Sequence, residues 1–336
     1  MTVKNATIVL ALCCLSSARA AVQTASADSA ISDARALLDQ GKPALAIQKL
    51  QTISDAEDLR VRHLLGVAYY QVNEHARAVE QLEPAVHRFP AGSLERREAT
   101  QILGLSQYLT GHIVESIPFL EQSSNWAPEN GEYAFLLGKA YLQTRQFDKA
   151  RPSFARMFRV SPDSAAAHLL TAQMMIPVGF EEHAETELKQ ALHKEPRLPQ
   201  ANFFLGQIAL FYARVDEAIV YLKKEIEINP GYAMAFYRLG DAFTRQQRWD
   251  EAIEFLQKSI RLYHLYSGPY VLLGKTYLNK DQLGTAEGML RQAVQLDPNN
   301  KSAHYLLGQV LQRMNRHAEA RAELATAERL QGDSEK

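Results

Sequence analysis

The sequence predicts an all-α solenoid of stacked antiparallel helix pairs. Three observations carry this: a small residue every 34 positions, a second small residue 12 positions after each, and a proline closing most units. Gly104, Gly138, Ala172, Gly206, Gly240, Gly274 and Gly308 hold the 34-residue step. Ser116, Ala150, Ala184, Ala218, Ala252, Ala286 and Ala320 follow 12 later, and Leu120, Phe154, Leu188, Leu222, Leu256, Leu290 and Leu324 follow 16 later. Pro128, Pro162, Pro196, Pro230 and Pro298 end the unit, and only His264 and Gly332 break that register.

An earlier copy opens at Gly66, with Ala78, Leu82 and Pro90 at the same offsets, and a degenerate first copy is marked by Ala34, Ala46 and Leu50. That makes nine copies over residues 27–334, with atypical first and last members, as expected where one face has no neighbour. Each copy reads as two helices. Phe135, Leu136, Gly138, Tyr141 and Leu142 fall at helical spacing, and a break follows about seven positions after the small residue, as at Gly111 and Gly179. A second amphipathic helix such as 250–262 comes next, with Asp250 as N-cap or first-turn acid. Proline then pushes its predecessor out of the α region and stops the helix. Glycine inside a helix costs about 0.5–1 kcal/mol relative to alanine, so its repetition in register implies close helix approach, with Gly206 against Ala218 as one such contact. Pro118 and Pro152 share an offset inside two consecutive second helices, where each removes a backbone hydrogen bond and is expected to bend its helix.

The start of the chain follows other rules. Lys4, the apolar stretch from Ala6 to Leu15, and Ala18-Arg19-Ala20 make the three-part plan of a secretory signal cleaved after Ala20. A lipoprotein signal at Cys13 or Cys14 fits less well, because Leu12 stands where a small residue is wanted. Residues 21–26 then read as a short linker and 335–336 as a tail. Export to a periplasmic or extracellular location is the expectation. Both cysteines fall in the signal, so the mature chain carries no thiol chemistry. Net charge is −1, from 37 basic and 38 acidic residues, which supplies no field for nucleic acid. The apolar start is too short to span a bilayer, and no transmembrane segment is expected.

The residues Leu137, Gly138, Tyr141, Ala150, Phe154 and Pro162 in one copy resemble the tetratricopeptide repeat family, and the resemblance runs through residues 27–334. It implies a right-handed superhelical solenoid and a non-enzymatic scaffold that binds other proteins or peptides. Family members hold such segments in a concave groove lined by the first helix of each pair. Counting each small residue as zero, offsets −3, +1 and +4 share a helical face. Members that grip chaperone C-terminal carboxylates carry Lys at −3 and Asn at +1, a pair found in no copy here. The groove residues expected instead are Phe135, Lys139, Phe203, Gln207, Tyr237, Asp241, Lys275, Tyr305 and Gln309. This aromatic and amide-rich lining suits an apolar or amphipathic partner segment. An accessory subunit of envelope polysaccharide or outer-membrane assembly is the alternative setting.

Chemistry is not signalled. No paired carboxylates, nucleophile or cofactor motif interrupts the repeat, so no catalytic residue, cofactor or metal is expected. No histidines take the His-Glu-x-x-His spacing, and His168 and His304, both at offset −4, read as packed.

Overall fold

The computed structural model describes residues 27–53 and 57–334; the expected signal (1–20), linker (21–26) and tail (335–336) lie outside the described residues. Eighteen α-helices fall among the described residues, in consecutive pairs, with no strand. The chain divides into two compact units with the boundary after Pro162.

Unit 1 contains α1 (27–39), α2 (Pro43–Leu50), α3 (Leu59–Gln71), α4 (His75–Leu82), α5 (Leu94–Leu109), α6 (Ile113–Trp126), α7 (Gly131–Gln143) and α8 (Phe147–Phe158). A 3-10 turn, Val86–Arg88, follows α4. Each first helix packs on its partner: α3 on α4, α5 on α6, α7 on α8. Ala34, Leu50, Leu82 and Leu103 lie in the core of its first repeats. Pro118 and Pro152 lie inside α6 and α8, each assigned as one uninterrupted helix.

Unit 2 contains α9 (Ala165–Met175), α10 (Glu181–Lys194), α11 (Ala201–Phe211), α12 (Val215–Ile228), α13 (Ala233–Arg245), α14 (Trp249–Leu262), α15 (Ser267–Asn279), α16 (Leu283–Leu296), α17 (Lys301–Arg313) and α18 (His317–Ser334). Besides pairing with their second helices, the first helices from α11 onward touch one another: α11 meets α13, α13 meets α15, and α15 meets α17. Asp250 sits in the first turn of α14, where a carboxylate favours the helix dipole, while Arg248 holds the N-cap position.

The glycine positions work somewhat differently from the expected small-on-small contact. A Cβ added to Gly206 would lie 2.7 Å from Leu222 Cγ, and one on Gly138 2.6 Å from the Phe154 ring. The space glycine vacates is filled by the large residue 16 positions on, which is fully buried in both pairs. The alanine at +12 contributes its backbone instead, with the Ala218 carbonyl 3.5 Å from that Gly206 position.

The break after each first helix is one repeated turn. Gly41, Asn73, Gly111, Arg145, Gly179, Ala213, Gln247, Asp281 and Asn315 all take positive φ, from 57° to 85°, seven residues past the small position. The following residue donates its N–H back to the carbonyl at +3, as in Arg214 N to Ala209 O (2.8 Å) and Gln282 N to Tyr277 O (2.9 Å). This is the left-handed helix stop that satisfies terminal carbonyls. Three of the nine positions carry glycine, so six side chains accept a conformation costing about 1–2 kcal/mol for an L-residue.

Candidate functional site

The residues expected to line a groove meet different fates. Phe203 on α11 is buried, only 5% exposed, and belongs to the core of unit 2. Its ring meets Tyr232 edge-on, with centroids 5.0 Å apart and planes at 73°. Tyr237 on α13 is half-buried and meets Tyr266 in the same way, at 5.2 Å and 86°. Burial holds the Tyr237 phenol well above its ordinary range, with Tyr266 adding to the shift. Tyr305 on α17 has no ring partner among the described residues and is 49% exposed.

The +1 positions are more open. Lys275 is exposed, while Gln207 and Gln309 are half-buried. Asp241 is half-buried and bridges to Arg245 one turn on, at 3.1 Å. In unit 1, Phe135 and Lys139 share α7, with the Lys139 ammonium 5.5 Å from the Phe135 ring centre, a cation–π contact worth about 0.5–1 kcal/mol at an exposed site. Unit 2 therefore brings Tyr237, Asp241, Lys275, Tyr305 and Gln309 onto the neighbouring first helices α13, α15 and α17. Phe203 leaves the accessible set because the ring of Tyr232 covers it.

Tyr232 and Tyr266 each stand at the N-cap of the next first helix, α13 and α15, and neither makes a side-chain cap bond. At the equivalent place Asn130, Ser164 and Asn300 cap their helices, accepting from Glu132 N, Ala167 N and Ala303 N. Giving up such a cap costs about 0.5–2 kcal/mol, and an aromatic pair returns about 0.5–1.5 kcal/mol beyond its buried area, so the exchange closes near balance. The shared offset of the two tyrosines was the signal available in the sequence.

Further residues escaped the sequence reading. Glu225 on α12 is fully buried at an offset where other copies carry Ser123, Met157, Ala191, Ser259, Ala293 or Ala327. Pro196 and Pro199 delay the start of α11 to Ala201, and Gln200 ahead of it is left-handed with φ +70°. The Glu225 carboxylate closes that end, accepting the Gln200 N–H at 2.8 Å. Burial nevertheless raises its pKa, against the lowering effect of the Gln200 and Phe203 amides. His168 and His304 are buried, as expected, and each pairs with a glutamate on its partner helix, Glu187 or Glu323, at 2.6 Å. In unit 1 a cleft of about 340 Å³ opens beside α6 and α8, lined by Glu121, Tyr141, Lys149, Pro152 and Arg156 among others. The Tyr141 hydroxyl donates to Glu121, and Arg156 Nη1 donates to Ser124 Oγ at 2.9 Å.

Comparison with known proteins places this architecture. Three family models, each described as tetratricopeptide repeat, match residues 109–174 and 277–335, residues 233–265, and residues 31–93. The BBSome complex member BBS4 of Bos taurus is 29% identical over 154 residues, covering 46% of this chain and 28% of that protein. The chain thus aligns with less than a third of that relative's length. Among solved structures, MamA (41-end) from Desulfovibrio magneticus RS-1 is 23% identical, with TM-score 0.47, covering 52% of this chain and 98% of that one. The Cut9–Hcn1 hetero-tetramer of APC/C is 18% identical with TM-score 0.47, covering 85% and 56%. These structural likenesses concern fold alone. With the glycine-to-leucine packing, the left-handed stop and the 34-residue step recurring along both units, the chain belongs to the tetratricopeptide repeat family.

Proposed function

We propose that this chain is a non-enzymatic scaffold that holds other proteins, taking an apolar or amphipathic partner segment along the first-helix face of unit 2. The observation that carries the reading is the row of accessible or half-buried side chains on α13, α15 and α17: Tyr237, Asp241, Lys275, Tyr305 and Gln309. Aromatic rings offer apolar area at low entropic cost, and amides offer both donor and acceptor to a partner backbone. Interface energy concentrates on few residues, and enclosed aromatics are preferred among them. The bovine relative is named as a member of a complex, which points the same way. Under this reading residues 1–20 are a cleaved export signal, 21–26 a linker and 27–334 the working array, active in the periplasm or outside the cell.

In-cell crosslinking followed by affinity capture tests the reading. Tyr237→Ala, Lys275→Glu and Gln309→Ala are expected to lose the crosslinked partner while remaining folded. Capture unchanged in all three variants would remove the first-helix face of unit 2 from the binding role.

A further inference from the structure

We infer that the first-helix face of unit 2 takes an acidic segment of another protein, with its apolar residues against Phe204, Leu272 and Leu306 and its carboxylates on Arg238 and Lys275. This rests on the reading of the chain as a protein-holding scaffold and names the charge of the segment held.

The open strip of each first helix follows from helical geometry. Counting each small residue as zero, offsets −6, −2, +1 and +5 are four, three and four residues apart, so they line one side of a helix. From α11 to α17 none of these positions is buried. Offset +4, by contrast, is buried at Leu210, Thr244 and Leu278. The strips of α13 and α15 lie inside the array, since α13 packs on α11 and α15, and α15 on α13 and α17. Their stacking sides are taken, so no further repeat can cover these two strips.

Offset −2 is apolar on three of the four helices. Phe204 and Leu272 are half-buried against the core of unit 2, and Leu306 lies in the same way on the core of its last repeats. Arg238 interrupts the row on α13.

The strips are also charged, in a chain whose net charge is only −1. They carry four cations, Arg238, Arg245, Lys275 and Arg313, and one acid, Asp241. Arg245 is paired with Asp241 at 3.1 Å, and Arg313 with Asp281 at 2.7 Å. Arg238 and Lys275 have no carboxylate partner among the described residues. Arg238 is half-buried, and its Nε is enclosed with no hydrogen-bond partner. Its one contact of note is the Tyr237 ring, whose centre lies 5.2 Å from the guanidinium carbon. An enclosed donor left unpaired is a cost that a carboxylate removes, and the planar guanidinium suits a carboxylate bidentately.

The missing carboxylates come from outside the unit. Asp241 is already bound to Arg245, and residues 1–26 contain no acidic residue. A segment with acids set among apolar residues meets both the row at offset −2 and the two free cations on the neighbouring helices α13 and α15.

Random dodecapeptides displayed on phage and selected on the full chain test this. The enriched sequences are expected to place Asp or Glu among Leu, Ile or aromatic residues. For the best of them, synthesised and followed by fluorescence anisotropy, Arg238→Gln is expected to weaken binding roughly tenfold, as for loss of a hydrogen bond to a charged group. Lys275→Gln, at an exposed site, is expected to weaken it by a smaller factor, and added salt should weaken binding to the wild type. Replacing the peptide acid by Lys should restore binding to Arg238→Glu. Urea midpoints close to that of the wild type identify variants whose loss is not a folding defect, and the exposed Lys275 site supplies the comparison if Arg238 variants fail it. Enriched peptides that are neutral or basic, no enrichment at all, or equal binding to the wild type and both glutamine variants overturns the inference. Self-association of the chain that disappears in Arg238→Glu also overturns it, by assigning the face to a second copy. If Tyr237→Ala and Gln309→Ala lose the crosslinked partner while Arg238→Gln keeps it, the scaffold reading stands and only the acidic character of the segment falls.

Discussion

The ring of Phe203 on α11 is clamped edge-on by Tyr232, 29 positions later, at a centroid distance of 5.0 Å. The contact joins consecutive repeats through the side chains of their first helix and the residue ahead of the next. Phe203→Ala is therefore expected to cost about 3–5 kcal/mol of stability, the usual loss for a buried phenylalanine. Tyr305→Ala should shift stability by no more than about 0.5 kcal/mol, as at other exposed sites. Urea unfolding of the two variants checks the contrast. Equal losses would mean that Tyr305 is covered after all.

Gly206 leaves no room for a methyl group, with Leu222 Cγ 2.7 Å from where a Cβ would stand. Gly206→Ala should destabilise by about 1–3 kcal/mol through overpacking, despite the better helix propensity of alanine. A gain in thermal stability would show that the two helices separate at little cost.

Ala213 occupies the left-handed turn after α11 at φ +57°. Ala213→Gly relieves that strain but frees the unfolded chain, and the net expectation is a gain of about 0.5–1 kcal/mol. Guanidinium midpoints measure it, and a loss of stability would argue against the turn.

Two glutamates give opposite pH dependences. Burial raises the Glu225 pKa, so its contribution is fully present below the ordinary carboxylate value and is lost as pH rises through the raised one. The hydrogen bond from Arg214 brings Glu185 from 4.5 down to about 2, against burial and with help from Lys189. Its contribution is present above 4.5 and is lost as pH falls towards about 2. On acidification from neutral pH, wild type should therefore gain on Glu225→Gln and later lose its advantage over Glu185→Gln. Parallel stability curves for all three proteins would contradict both assignments.

Export predicts a mature protein beginning at Ala21. Intact mass of the exported protein is the measurement. A product retaining Met1, or one starting at a lipidated Cys14, would refute cleavage after Ala20.

The helix pairs, their order and their family were legible in the sequence because each copy repeats a local steric requirement. A small residue must face a large one 16 positions on, and both belong to one helix pair, so Gly138 with Phe154 or Gly240 with Leu256 can be read within a single copy. The left-handed stop was only half legible, at Gly111 and Gly179, because Ala213 and Gln247 adopt it without glycine under the demand of the hydrogen bonds around them. Which aromatic residues remain accessible was decided by tertiary structure alone. Phe203, Tyr237 and Tyr305 share one offset and one helical face, yet Tyr232 covers the first, Tyr266 half-buries the second, and the third stays open. The covering ring belongs to the next repeat, so the periodicity of a single helix carries no information about it. Exposure there is set by what the neighbouring repeat brings into contact, and that contact exists only once the repeats have stacked.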